Sequence, residues 1–326
     1  MRHLVVRRER WPLRGVFTIS RGSRTEAEVV VAEIAEDGIA GRGECVPYAR
    51  YDETVDGVAA AIQQQAEAVA GGLDRERLRQ ALPPGAARNA LDCALWDLEA
   101  KQATKPAWQL AGLGAPQPLV TAYTLSLAGP DAMGAAARAN RNRPLLKIKL
   151  GGAGDIDRVA AVREEAPQAR LIVDANEAWT PDLLPEYLPA MARLGVALVE
   201  QPLPAGRDEA LAGIAHPVPV CADESCHTSA DVAALVGRYD VVNVKLDKTG
   251  GLTEAIRLIE NARRARLGVM IGCMVGTSLA MAPAVLLGNG AAFVDLDGPL
   301  LLAEDRPHGL RYADGLVFPP TPALWG

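Results

Sequence analysis

Residues 145–174 read LLKIKLGGAGDIDRVAAVREEAPQARLIVD: an apolar run, a helical pattern, and a second apolar run that closes on an acid, Asp174. The same unit repeats in both directions along the chain. Apolar runs fall at 120–127, 145–150, 171–174, 197–200, 218–223, 241–246, 269–272 and 293–296. Their closing residues recur at intervals of about 24 residues, room for one strand, one helix and two loops. Short continuous apolar runs fit strands buried on both faces, as in parallel sheets covered by helices. Eight of them predict a parallel (β/α) barrel. An open doubly wound sheet is the competing architecture, but no glycine-rich fingerprint opens the first unit. After Asp295 no strong helical pattern follows, and the tail is rich in proline and glycine. The expected fold is therefore a modified (β/α)7β TIM-like barrel, its last helix missing or replaced by a segment returning to the first domain.

The chain before the barrel follows other rules. Glu28–Ala35 is valine-rich and ends at the turn signal Glu36-Asp37-Gly38, after which the chain runs extended toward Gly43-Glu44, so residues 1–50 read as a β-meander. Asp52 or Thr54 is placed to cap a helix that stops at Gly71-Gly72. Ala87, Ala90, Leu91, Ala94, Leu95 and Leu98 form a wide apolar stripe on a second helix over about 86–101. Strands followed by segregated helices predict an α+β capping domain over 1–115, completed by the tail 311–326, with the barrel domain over 116–310.

Composition narrows the function classes. The 326 residues carry 34 basic and 40 acidic side chains, a net charge of −6, with 49% hydrophobic residues. That apolar fraction fills a core and excludes a disordered chain. The negative balance argues against a nucleic-acid partner, and no apolar run is long enough to span a membrane. Met1–Arg10 is too charged for a secretory signal. Five cysteines without CxxC spacing and four scattered histidines fit reduced thiols in a cytoplasmic protein, and leave carboxylates, lysines and hydroxyls to carry the chemistry.

Those residues sit where a parallel barrel keeps its active site, at the carboxyl ends of the strands. Lys149, Asp174, Glu200, Asp223, Lys245 and Asp295 close six of the seven runs after the first. Asp174, Glu200 and Asp223 end three successive strands, so their carboxylates converge and must share a proton or a hard cation such as Mg²⁺. Helix capping is the competing role for each acid. Lys147 and Lys149, two residues apart on one strand, share a face, and two close cations lower each other's pKa toward that of a working base. Lys245 lies four strands onward, across the barrel mouth, while Lys248 is assigned to the loop before Gly250-Gly251. A cation with a lysine on either side describes removal of a proton from one face of a carbon and its return on the other. Asp295 and Asp297, on one face of the last strand, are placed to receive a substrate ammonium, although Asp297-Gly298 is also a turn signal. Gly151-Gly152-Ala153-Gly154 lacks the lysine and hydroxyl of a phosphate loop and reads as a βα connection. Arg21 and Arg24, in a polar loop between first-domain strands, are candidate anion clamps.

Taken together, the helix ARNALDCALWDL at 87–98 and the KxK, DAN, EQP, ADES and NVKLDKTGG segments, in that order, resemble the enolase superfamily, specifically its muconate lactonizing enzyme branch, over essentially the whole chain. RGSR at 21–24, GECVPY at 43–48, GCM at 272–274 and DLDGP at 295–299 are most similar to the branch's dipeptide epimerases. The resemblance implies Mg²⁺ held by Asp174, Glu200 and Asp223, with Asn176 and Glu224 behind these ligands. It implies Lys149 and Lys245 as the acid/base pair, with Lys147 tuning Lys149. The partner it implies is a small dipeptide whose α-ammonium meets Asp295 and Asp297, which touches Thr124, and whose C-terminal side chain (a glutamate in the L-Ala-D/L-Glu case) meets Arg21 or Arg24. Other enolate-forming members of the branch, o-succinylbenzoate synthases and cycloisomerases, act on substrates without an ammonium group. A departure from some relatives is the non-acidic loop Val275-Gly276-Thr277-Ser278. A homo-oligomer is compatible with all of this.

Overall fold

The computed structural model describes residues 1–326. Strands β1 (His3–Ile19), β2 (Gly22–Glu36) and β3 (Ile39–Cys45) form an antiparallel meander in the order β1-β2-β3. Asp37 and Gly38 both take positive φ at the β2–β3 turn, the geometry that matches the twist of a tight hairpin. The helix expected over 86–101 runs from Ala86 to Ala103 and lies directly on β3. Glycine makes that approach possible: a Cβ at Gly43 would stand 2.1 Å from the Ala90 carbonyl oxygen, and one at Gly41 would stand 2.3 Å from that of Ala94. The apolar stripe Ala90, Leu91, Ala94, Leu95 and Leu98 packs with Val30, Ala32 and Ile34. Thr54 caps the helix Val55–Gln63, accepting from Gly57 N.

A different row of the long helix faces the barrel. Arg88 donates to the carbonyls of Thr249 and Gly250, Asn89 to Asp247, and Asp92 accepts from Thr253 N and Oγ1. This polar row docks the first domain onto the segment that follows residue 245.

After β4 (Leu119–Val120), the barrel strands are β5 (Tyr123–Leu125), β6 (Leu145–Lys149), β7 (Arg170–Asp174), β8 (Val196–Glu200), β9 (Val220–Ala222), β10 (Val241–Val244), β11 (Gly268–Ile271) and β12 (Phe293–Val294). They pair in parallel and in sequence order from β5 to β12. Ala122 N donates to Val294 O at 2.8 Å, joining the first strand to the last. The run at 120–127 is thus divided: Leu119–Val120 pairs antiparallel with β14 (Leu316–Val317), which pairs in turn with β13 (Tyr312–Ala313). No long helix follows β12. Instead the tail returns: Arg306 pairs with Glu9 and Glu44, Trp325 Nε1 donates to Cys93 O, and Gly326 N donates to Asp97. These contacts hold the segment from Arg306 to Gly326 against the first domain.

Strand alternation sorts the barrel into layers. Leu146, Ile148, Leu171, Val173, Val199, Val242, Val244 and Ile271 face the helices in the larger core. Ala122, Leu145, Ile172, Leu198, Cys221, Val241, Met270 and Phe293, one per strand, form a separate apolar floor inside the barrel. Each large floor side chain contributes roughly 1.5–3 kcal/mol by its burial, which helps offset the cost of charged groups above. Two residues further along each strand, the inward ring reads Thr124, Lys147, Asp174, Glu200, Asp223, Asn243, Gly272, Asp295.

Candidate active site

The three acids of that ring meet. Asp174 and Glu200 are register partners on β7 and β8, and Asp223 follows β9 by one residue. All three are buried, and one oxygen from each lies within 4.8 Å of the others. None caps a helix: the helical turns after β7, β8 and β9 begin from Thr180, Asp208 and Asp231. Burial and the charge of Asp174 push Glu200 up to about 7. Asp223 is desolvated too, yet Lys245 and Lys248 hold it well below the usual carboxylate range. Asp174 is likewise lowered, by Lys149 and Lys147 against its burial. Glu200 Oε2 and Asp223 Oδ1 are buried and face lysine ammonium groups, Lys147 Nζ and Lys248 Nζ, each at 2.7 Å. Three buried carboxylates with converging oxygen donors fit a hard divalent cation.

Lysines flank the acids on both sides. From β6, Lys149 Nζ donates to Asp174 Oδ2 at 2.6 Å, and Lys147 Nζ lies 2.7 Å from Glu200 Oε2, 2.8 Å from Asp295 Oδ2 and 3.1 Å from Asp174 Oδ2. From the end of β10, Lys245 Nζ donates to Asp223 Oδ2 at 2.6 Å. The strands between β6 and β10 are the three that carry the acids. Two expectations are corrected here. Lys147 does not sit in a mainly cationic environment: burial works to lower its pKa, but Asp295, Glu200 and Asp174 surround it and hold it well above the usual lysine value. Lys248 is not in an open loop. The chain turns helical over Leu246–Thr249 directly after Lys245, which buries the Lys248 side chain 2.7 Å from Asp223 Oδ1, where it also donates to Asn243 O.

The remaining candidates line the same cleft. Asp295 follows β12 and receives Lys147. Asp297 lies past the strand end, where Thr124 N donates to its Oδ2 at 2.6 Å, and burial together with the charge of Asp295 pushes it up to about 7. Asn176, with φ of 45°, donates its N–H to Asp174 Oδ1 and leaves its own Oδ1 without a partner. Glu224 is raised to about 7 by burial and by Asp223, and its Oε1 accepts from Arg21 at 2.7 Å. Arg21, at the β1–β2 turn, also donates to Asn176 O, Glu177 and the Tyr48 hydroxyl. It straps the first domain to the loops after β7 and β9. Arg24, on β2 rather than in a loop, stands over the Tyr48 ring at 5.1 Å and makes no ion pair. Sequence reasoning missed Tyr48, Tyr51 and Asn243. Asn243 was discoverable, since it stands two residues before Lys245 on the same inward face. The tyrosines carry no local signal, because the first domain's position alone brings them to the mouth.

Comparison with known proteins adds to this geometry. Residues 1–112 match the mandelate racemase/muconate lactonizing enzyme N-terminal domain, and residues 132–323 match the enolase C-terminal domain-like family. The chain is 48% identical over 317 residues to an L-Ala-D/L-Glu epimerase of Escherichia coli K12, covering 97% of this chain and 99% of that one. It is 47% identical over 300 residues to an N-acetyl-D-glutamate racemase of a Pseudoalteromonas species, covering 91% and 95%. A crystal structure of an enolase family member from Agrobacterium tumefaciens, described as homologous to dipeptide epimerases and holding sodium and L-Ala-L-Glu, superposes with a TM-score of 0.98 at 56% identity over 100% of both chains. A dipeptide epimerase from Enterococcus faecalis complexed with Mg and L-Leu-L-Tyr superposes with a TM-score of 0.90 at 31% identity, covering 97% of this chain and 96% of that one.

Proposed function

This chain belongs to the mandelate racemase/muconate lactonizing enzyme family of the enolase superfamily, and we propose that within it the protein is a Mg²⁺-dependent dipeptide epimerase whose substrate pair is L-Ala-D/L-Glu. The chain is an isomerase. The reaction is a 1,1-proton transfer at the α-carbon of the C-terminal residue. The observation that carries this reading is the pair of lysine walls, β6 and the end of β10, with three converging acids between them.

Asp174, Glu200 and Asp223 would hold Mg²⁺, which when bound would supply positive charge to the substrate carboxylate. Each lysine then has a defined task. One of Lys149 and Lys245, as the neutral amine, takes the α-proton and becomes an ammonium. The other, entering as an ammonium, delivers its proton to the opposite face, so inversion needs no net proton from solvent. Lys147 neutralises Asp295 and Glu200 beside this centre. The Asp295/Asp297 end of the cleft is anionic and fits the dipeptide's ammonium as a charge-assisted partner. Arg24, free of any carboxylate, is the cation available to a C-terminal glutamate; Arg21 is already engaged.

A second reading comes from the N-acetyl-D-glutamate racemase relative. An N-acetylated glutamate has the same carboxylates but no ammonium, and the two aspartates disfavour it. Incubation of L-Ala-L-Glu with protein and Mg²⁺ in D₂O, followed by NMR, is expected to show loss of the Glu α-proton signal and growth of the second diastereomer. No exchange with the dipeptide, together with exchange of N-acetylglutamate, would replace the first reading by the second.

A further inference from the structure

Among the inward ring residues, Asn243 is the neutral side chain that touches one of the three acids. It stands on β10 between the floor residue Val241 and Lys245, fully buried. Its Nδ2 donates to Glu200 Oε1 at 2.7 Å, a bond that spans β9, because β8 and β10 are not neighbours. The next ring position, on β11, is Gly272. A Cβ there would lie 2.4 Å from Asn243 Oδ1 and 2.8 Å from Nδ2, closer than real contacts allow. The backbone at 272 is not left-handed, so glycine is needed there for space rather than for conformation.

We infer that Asn243 and Gly272 are a positioning pair for Glu200: the amide fixes one carboxylate oxygen, and the missing side chain at 272 is what permits the amide to reach it. The inference rests on reading Glu200 as a metal ligand. A carboxylate held at Oε1 can no longer rotate freely, and its other oxygen, Oε2, is left turned toward the Lys147 ammonium at 2.7 Å, on the side where the acids converge. An amide suits this position where a carboxylate would not. It donates to Glu200 and adds no further negative charge to a site that already gathers three acids. Ligand orientation by such outer contacts commonly changes metal affinity by about 10–100-fold.

The test uses the full-length protein, stripped with chelator and titrated with Mn²⁺ by electron paramagnetic resonance without substrate, with circular dichroism to verify folding. N243A and G272A should each weaken Mn²⁺ by about 10–100-fold. In the double variant, the methyl at 272 meets no amide, so G272A should add nothing to N243A. Mn²⁺ affinity in N243A within about twofold of the wild type, or a G272A penalty of the same size with and without Asn243, overturns the pair. Absence of Mn²⁺ binding by the wild-type protein overturns the reading of the three acids as a metal centre, and this inference with it.

Discussion

The two lysine walls of the cleft have the same plan built by different local means. On each, one lysine bonds a candidate metal-binding carboxylate at 2.6 Å, Lys149 to Asp174 and Lys245 to Asp223, and a second, more deeply buried lysine shares that carboxylate. On the β6 wall the second lysine is two residues away, because alternate strand residues share a face. On the β10 wall it is three residues away, because the chain has become helical and positions three apart share a face. The walls also differ in what stands behind them. Lys147 reaches Asp295 and so belongs to the anionic end of the cleft. The segment carrying Lys245 and Lys248 is held instead by Arg88, Asn89 and Asp92 of the first domain.

The symmetry of the walls is tested most severely by removing each outer lysine. Lys149→Ala and Lys245→Ala should each lower epimerisation by about 10³-fold or more. Each should keep α-proton exchange in D₂O with one diastereomer of the substrate, and the two variants should retain opposite ones. Retention of the same diastereomer by both would mean that the amines do not work on opposite faces.

The asymmetry at the anionic end is read from the substrate side. Charge-assisted bonds contribute about 1.5–3 kcal/mol each, so Asp295→Asn with Asp297→Asn should reduce kcat/KM for L-Ala-L-Glu by about 10²-fold, with most of the loss in KM. An N-acetylated substrate should lose much less. Equal losses for both would show that the pair does not read the ammonium.

The inner lysines come next. Lys147→Met removes a cation shared by three acids, whereas Lys248→Met removes one shared by Asp223 alone. Steady-state kinetics at saturating Mg²⁺ should show the larger defect for Lys147→Met, with Lys248→Met lowering kcat/KM by about tenfold. A reversed order would make the helical lysine the principal one.

The smallest effect concerns the docking of the β10 wall. Asp247 lies between Lys245 and Lys248 in sequence, accepts from Val46 N and Asn89, and is pushed up to about 7 by burial. A raised carboxylate binds a proton more tightly in the folded protein than in the unfolded chain. Its stabilising contribution is therefore complete below the ordinary carboxylate pKa and is lost as pH rises through about 7. The thermal midpoint should fall between about pH 4 and 7 by roughly 2–4 °C for each kcal/mol involved, and Asp247→Asn should flatten that slope. A slope unchanged in the variant would assign the pH dependence to other buried acids.

Much of the site was legible before any coordinates. The regular spacing of runs ending in Lys149, Asp174, Glu200, Asp223 and Asp295 placed those residues at one end of a barrel, and they stand there together. Asn243 could have been found by the same alternation that exposed Lys147, but an amide inside a strand carries no charge to draw the eye. Lys248 was misread because a helical turn of four residues leaves almost no periodic signal. The engagement of Arg21 with Glu224, against the free state of Arg24, was invisible: the partners are 203 residues apart.

The amino-acid order by itself determined the parallel barrel, the capping α+β unit and the inward face of each strand, since these depend on local periodicity that survives in any window of the chain. Tertiary structure alone decided which inward groups touch: Asn243 with Glu200, Gly272 beneath that amide, the first domain's helix against the segment after Lys245, and Arg21 across the mouth. Those contacts depend on how far the sheet curls before it closes and on where one domain comes to rest on another. Both are set by the packing of many distant side chains, and no short stretch of sequence records them.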